Sequence, residues 1–444
     1  MNTRKLFLLS PVFNHLCISS WAVNAAKKAS TLGIIIVLVI IILVNYGFAQ
    51  ALTVNPRLSV ERIFTGNFKP STMAFLGRDD ILVLDRDEGI VYRLNHKMEP
   101  KVILDVKVGT IGYRGLLGIA ISHKDNLPQN VFLYYTEARY HDGDDATNNV
   151  TTLGNRVYRY DLINEKLVNP KLILQLPALP GPRHMGGIID IGPDNNVYVT
   201  VGDIDGTFIK NYETIAQNYQ NGSYPDGRSG ILRVTQDGKP VGVGILGKSF
   251  PLNLYYAYGI RNSFGIDWDP ITGKLWDTEN GPHYGDEINI VEPGFNSGWV
   301  SVQGIWKPNF DERGELSLNP VDLVDFDGRG KYSPPKFIWV PPVAPTAIKF
   351  LDSDKFGSEY MNDIFVGDAN TGRIYDFDLD EKRTGLDVKG QLKDIIADNF
   401  EELSNVTFAN GFGRITDIDI GPDGFLYVLS SESHGTAIYK ITKN

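Results

Sequence analysis

One histidine in the chain has neighbours suited to chemistry. His184 follows Arg183, precedes Gly186 and Gly187, and leads into two apolar strands, the second of which ends at Asp203. The glycines let a substrate approach the backbone. A histidine oriented by a carboxylate is the usual construction of a general base near neutral pH. Arg261, Asn262 and Arg414 occupy comparable places further along, each just ahead of another apolar strand. A loop from Glu279 to Glu287 offers a different chemistry. Gly281 and Pro282 can turn their carbonyls inward, and with Asp286 and Glu287 close by they form an all-oxygen environment suited to calcium.

These residues lie on a repeated phrase. An apolar strand, a turn rich in Gly, Asp and Pro, a second apolar strand and a third with Arg or Lys recur six times from Ser71 to Ile441. Examples are Ile189-Asp190-Ile191-Gly192-Pro193-Asp194 and Asp417-Ile418-Asp419-Ile420-Gly421-Pro422-Asp423. Period-two alternation marks half-buried antiparallel strands. A multi-strand repeat of about 50 to 80 residues marks a propeller blade. The fold class expected is therefore all-β, a six-bladed β-propeller over residues 56–444, preceded by an N-terminal signal or membrane-anchor segment over residues 1–51. A long sandwich or barrel is the alternative, and it would not repeat its turn chemistry six times. The inserts from Arg139 to Gly154 and from Asn296 to Pro342 are expected to be loops on the faces. In a propeller the residues just before the innermost strands ring one mouth of the central channel. Aligning the repeats places Gly115, His184, Asn262, Ala344 and Arg414 on that ring, with Arg114, Arg183, Arg261, Val343 and Gly413 one step earlier. Polar groups converging in a concavity are the default site hypothesis.

Composition bounds the partners. The formal charge of −10 argues against a general phosphate-binding surface, so no nucleic-acid partner is expected. The single cysteine, Cys17, precedes the apolar run Leu32–Val44, so the region beyond has no disulfide and no thiolate metal site. Lys27 and Lys28 ahead of that run, and Phe48-Ala49-Gln50-Ala51 after it, read equally as a cleaved signal or a retained anchor. Either sends the bulk of the chain across a membrane, to an extracellular or cell-surface location. Membrane contact is then confined to the N-terminal segment. The sequons at Asn149, Asn221 and Asn405 would lie on the exported side.

The motifs, taken together, resemble the soluble quinoprotein glucose dehydrogenase and aldose sugar dehydrogenase family, the glucose/sorbosone dehydrogenase domain. Carrying the resemblance are Gly115-Leu116-Leu117-Gly118, His184 with Gly187 and Gly192-Pro193-Asp194, Gly202-Asp203, and Tyr258-Gly259-Ile260-Arg261-Asn262. Glu279-Asn280-Gly281-Pro282, Asp286-Glu287-Ile288-Asn289, Gly298-Trp299, Ala344-Pro345-Thr346 and Gly413-Arg414-Ile415 continue it. The resemblance implies pyrroloquinoline quinone (PQQ) held over calcium at the channel mouth, a sugar substrate and a separate electron acceptor. It implies that His184 is the base and Asp203 its partner, that Arg261, Asn262 and Arg414 contact the quinone, that the Gly281 and Pro282 carbonyls hold the cofactor calcium, and that Glu287 belongs to a further, structural calcium site. The chain departs from the family pattern at Tyr113, Phe264, Asn370 and Thr416, where that pattern has Gln or Glu, Gln, Lys and Arg. Two expected cations are thus absent, and Arg114 and Arg183 are the substitutes at hand.

The function expected is an exported PQQ- and calcium-dependent dehydrogenase oxidising the anomeric carbon of aldoses to lactones. The alternatives are a non-catalytic binding propeller at the cell surface with a degenerate quinone pocket, and a calcium-dependent hydrolase of lactonase type. The hydrolase needs side-chain ligands around a central metal, where this ring offers Arg, His and Asn.

Overall fold

The structure is a computed structural model that describes residues 51–124, 127–139, 152–205, 213–308 and 322–444. Cys17, the apolar run Leu32–Val44, the sequon at Asn149 and most of the insert after Arg139 lie outside the described residues. Among the described residues no helix is long and apolar enough to cross a membrane.

The strands form six sheets, and one repeat of the sequence phrase falls in each. The first strands of the sheets are Pro70–Gly77, Leu116–Lys124, Ile189–Ile191, Ser263–Trp268, Pro345–Phe350 and Arg414–Ile420. Each touches the next, and the last touches the first. This closed ring of inner strands makes the fold a β-propeller. The second strands, among them Val197–Val201, Leu275–Glu279 and Ile364–Asp368, are buried at every position. A sheet flanked by neighbours on both faces has no solvent side, which is why these strands read as continuous apolar runs.

Each sheet also has a fourth strand that the repeat phrase does not show. In the first five these are Pro100–Asp105, Lys166–Leu176, Tyr255–Tyr258, Phe337–Trp339 and Thr407–Asn410. In the last sheet the outer strand is Leu58–Gly66, which precedes the first repeat in sequence and pairs antiparallel with Gly435–Lys443. A strand from before the first repeat and the strands of the last repeat therefore share one sheet, which ties the two ends of the ring together. The sheets approach closely at their inner ends. A Cβ on Gly118 would lie 2.0 Å from the Gly187 carbonyl oxygen, so the second and third sheets meet there backbone to backbone.

Candidate active site

The third and fourth sheets build the centre of the site. His184 sits ahead of the inner strand Ile189–Ile191 with φ 57°, a left-handed conformation uncommon outside glycine. Its loop is tied down from the second sheet, where Tyr134 donates its hydroxyl to the Met185 carbonyl (3.0 Å). Gly202 allows the neighbouring sheet to approach. A Cβ there would lie 2.3 Å from the His184 carbonyl oxygen and 2.7 Å from that of Arg261. The next residue, Asp203, donates its backbone N–H to the Arg261 carbonyl (2.9 Å). This glycine therefore sets the distance between base, partner carboxylate and arginine.

His184 is held from both ring nitrogens. Nδ1 donates to Asp203 Oδ1 at 2.6 Å, and Arg261 Nη2 donates to Nε2 at 3.1 Å. A guanidinium only donates, so this network assigns the proton to Nδ1 and the lone pair to Nε2. Asp203 is fully buried and accepts further bonds from the Asp205 backbone N–H (3.0 Å) and Trp299 Nε1 (2.9 Å). Three donors on one carboxylate are strong stabilisation of its charge. Arg261 also donates Nη1 to the carbonyls of Asn280 (2.7 Å) and Gly281 (2.8 Å), and its guanidinium lies 5.4 Å from the Trp299 ring centre. Burial, the largest influence, lowers the Arg261 pKa from its ordinary value against the pull of Asp203 and Asp286. Asn262 Oδ1 accepts from Gly186 N–H (3.1 Å), linking the two sheets again.

These groups open onto a cavity of about 330 Å³ at one channel mouth, lined among others by His184, Arg261, Asn262, Gly281, Pro282 and Arg414. The structure therefore brings together six of the residues singled out in sequence, with Asp203 directly behind His184. Tyr113, Phe264, Asn370 and Thr416 line the same cavity. Ile188, Phe264 and Thr346 also wall a second cavity of about 350 Å³ deeper along the axis, where Lys349 faces Asp419 (3.2 Å) and Asp267 (3.7 Å).

Some expectations are corrected. Arg114 and Arg183 do not line the cavity. Arg114 is fully buried and donates to the carbonyls of Ala178 and Gly181, while Arg183 pairs with Asp205. Gly115 is also absent from the cavity wall, because it packs on the Arg86 carbonyl, and Arg86 takes a place on the wall. Glu287, expected at a separate structural calcium site and not at the cavity, is off the cavity wall. It is buried, accepting from Gly304 N–H (2.5 Å), Gln303 Nε2 (2.8 Å) and Asn289 Nδ2 (3.1 Å), and it is electrostatically linked to Glu279 and Asp277. Sequence reasoning gave Trp299 and Glu279 no role. Trp299 orients Asp203, and Glu279 accepts the Arg261 backbone N–H at 2.6 Å. Their motifs were visible, but neither residue's partner is near it in sequence.

An anionic quinone fits this donor set. Arg86, Arg261 and Arg414 line the cavity, Arg261 Nε is buried without a hydrogen-bond partner, and Leu117, Met185, Ile188 and Phe264 offer apolar wall. The cavity supplies less for calcium. Among the described residues Asp286 is the one carboxylate on its wall, with both oxygens taken by the N–H groups of Gly281, Val343 and Ala344, each at 2.8 Å. The Gly281 carbonyl already accepts from Arg261. No group of three or more His, Cys, Asp or Glu able to hold a metal occurs among the described residues. Calcium takes six to eight oxygens, so most would have to come from ligand and water.

Comparison with known proteins follows the same line. An uncharacterised protein of Synechocystis is 27% identical over 399 residues, covering 86% of each chain. The aldose sugar dehydrogenase YliI of Escherichia coli is 27% identical, covering 75% of this chain and 78% of its own. The PQQ-bound aldose sugar dehydrogenase of Streptomyces coelicolor superposes with a TM-score of 0.61 at 22% identity, over 88% of this chain and 99% of its own, which shows the shared fold. The family model described as Glucose / Sorbosone dehydrogenase matches residues 68–440, and the chain belongs to that family.

Proposed function

We propose that this protein is a quinone-dependent aldose dehydrogenase on a six-bladed propeller, one blade for each sheet, converting the anomeric carbon of an aldose to a lactone. The observation that carries the reading is His184, fixed as the Nδ1–H tautomer between Asp203 and Arg261 at the wall of a cavity rimmed by guanidiniums. Relatives named as aldose sugar dehydrogenases support it.

A quinone held in the cavity would supply the acceptor for the hydride that leaves C1 of the sugar. Arg414, Arg261 and Asn262 would hold the quinone. His184 Nε2 takes the proton of the anomeric hydroxyl, which must first displace or share the Arg261 Nη2 donor. The resulting imidazolium is stabilised through Nδ1–H by Asp203, whose charge Trp299 and Asp205 hold in place. Phe264, Leu117 and Ile188 exclude water from this end of the cavity. The carbonyls of Gly281 and Pro282 are the donors a cofactor calcium would use, and Glu287 is the residue a further, structural calcium would use. Export across a membrane belongs to the proposal, supported by the apolar run Leu32–Val44. A separate electron acceptor would complete the turnover.

Asn370 and Thr416 on the cavity wall favour a second reading, a binding propeller without turnover, since both stand where the family pattern has a cation. One experiment separates the two. The protein is incubated with PQQ and calcium, and quinone binding and aldose-driven dye reduction are measured. Binding with turnover supports the dehydrogenase, binding without turnover supports the second reading, and no binding overturns the first.

A further inference from the structure

The cavity wall carries a charge imbalance that the function above does not use in full. Three arginines, Arg86, Arg261 and Arg414, line it, against one carboxylate among the described residues, that of Asp286, whose oxygens are occupied by backbone N–H groups. On a chain of formal charge −10 this is a local positive well. We propose that Arg86 is a cofactor-binding residue that pairs with a carboxylate of the quinone, filling the role left open by Asn370 and Thr416. The inference rests on the quinone reading and adds to it a residue on the first sheet.

Arg86 follows directly on Asp85, the last residue of the first sheet's second strand, as Ala369 follows Asp368 and Asn280 follows Glu279. Those other two positions also line the cavity, so Arg86 occupies a site-forming register of the repeat. Its backbone is fixed between two sheets. The N–H donates to the Lys69 carbonyl (2.8 Å), and the carbonyl accepts from Leu116 N–H (2.9 Å). A Cβ on Gly115 would lie 2.3 Å from that carbonyl oxygen, so the contact admits only glycine. The side chain is 26% exposed and donates Nε to Asp87 Oδ1 at 2.7 Å. Asp87 is not a full neutraliser, because it is shared with Lys69 at 2.5 Å. The triad Lys69, Asp87 and Arg86 keeps one net positive charge. Asp87 also binds Arg86 through Nε alone among the hydrogen bonds seen, which leaves the terminal nitrogens for a bidentate pair with a ligand carboxylate.

The test is quinone binding by the full chain without sugar, followed by quenching of tryptophan fluorescence. The probes are PQQ and its trimethyl ester, and the proteins are wild type, Arg86→Gln and Arg86→Lys. The expected result is a Kd for PQQ raised about 10- to 100-fold in Arg86→Gln, with Arg86→Lys between the two. The ester, which has no carboxylate charge to pair, should bind all three proteins alike. An unchanged Kd in Arg86→Gln, with wild type binding PQQ, overturns the role of Arg86 and leaves the quinone reading intact. An equal loss for PQQ and ester also overturns it, since that marks a structural effect. Failure of wild type to bind PQQ overturns both.

Discussion

The substitution Asp203→Asn tests the histidine clamp most directly. Asp203 accepts His184 Nδ1–H and Asp205 N–H on Oδ1, and Trp299 Nε1–H on Oδ2. An asparagine has only one acceptor oxygen for these two sides. With its amide nitrogen toward Trp299, two donors face each other in a fully buried place. With the nitrogen toward His184, Nδ1 must become an acceptor and the ring proton moves to Nε2. That proton then faces the Arg261 guanidinium, and Nε2 loses the lone pair that takes the substrate proton. Loss of a positioned general base is worth about 10²- to 10⁴-fold, or about 3–5 kcal/mol of transition-state stabilisation. The assay is aldose-driven dye reduction across pH with the quinone bound, beside the Kd for quinone and the melting temperature. Asp203→Asn should lower kcat by at least about 10²-fold with little change in quinone Kd. The double substitution Asp203→Asn with Trp299→Phe removes the clashing donor, lets the amide oxygen turn to His184 and should recover part of kcat. Activity of Asp203→Asn within about fivefold of wild type, or a double variant slower than the single one, would refute the tautomer argument.

Other outcomes follow from the same geometry. His184→Ala should abolish turnover while quinone binding persists, and retained turnover would mean that another group is the base. Arg414→Gln should weaken quinone binding, because Arg414 lines the cavity; titration of the variant with quinone checks it. Burial raises Asp277 to about 7 and Glu279 to about 8. Each then binds its proton more tightly folded than unfolded, so the stability they allow is present below about pH 4 and falls as pH rises toward about 8. Asp277→Asn should raise the melting temperature at pH 8 and leave it nearly unchanged at pH 4. Gly118→Ala should cost about 3 kcal/mol or more, since its Cβ would meet the Gly187 carbonyl oxygen at 2.0 Å, and a denaturant melt reads this directly.

The sequence by itself determined the local structure. Alternating apolar residues and turns with Gly, Asp or Pro mark the inner strands, and the buried second strands such as Val197–Val201 show as unbroken apolar runs. Repeat alignment then placed His184, Asn262 and Arg414 around one mouth, because a common register implies a common position on the ring. The outer strands stayed hidden. Phe337–Trp339 and Thr407–Asn410 are too short to show a period, and Leu58–Gly66 belongs to the last sheet although it comes before the first repeat. Applied to the residue after Asp85, the alignment would also have found Arg86. What only the tertiary structure decided is which side chains meet. Arg261 reaches His184 Nε2, Trp299 reaches Asp203, and Arg114 turns away to the carbonyls of Ala178 and Gly181. Strand periodicity is a property of neighbouring residues and is written in the chain. The direction of a side chain at the channel mouth depends on how closely adjacent sheets approach, as at Gly202 and Gly118, and that distance is set only when the ring closes.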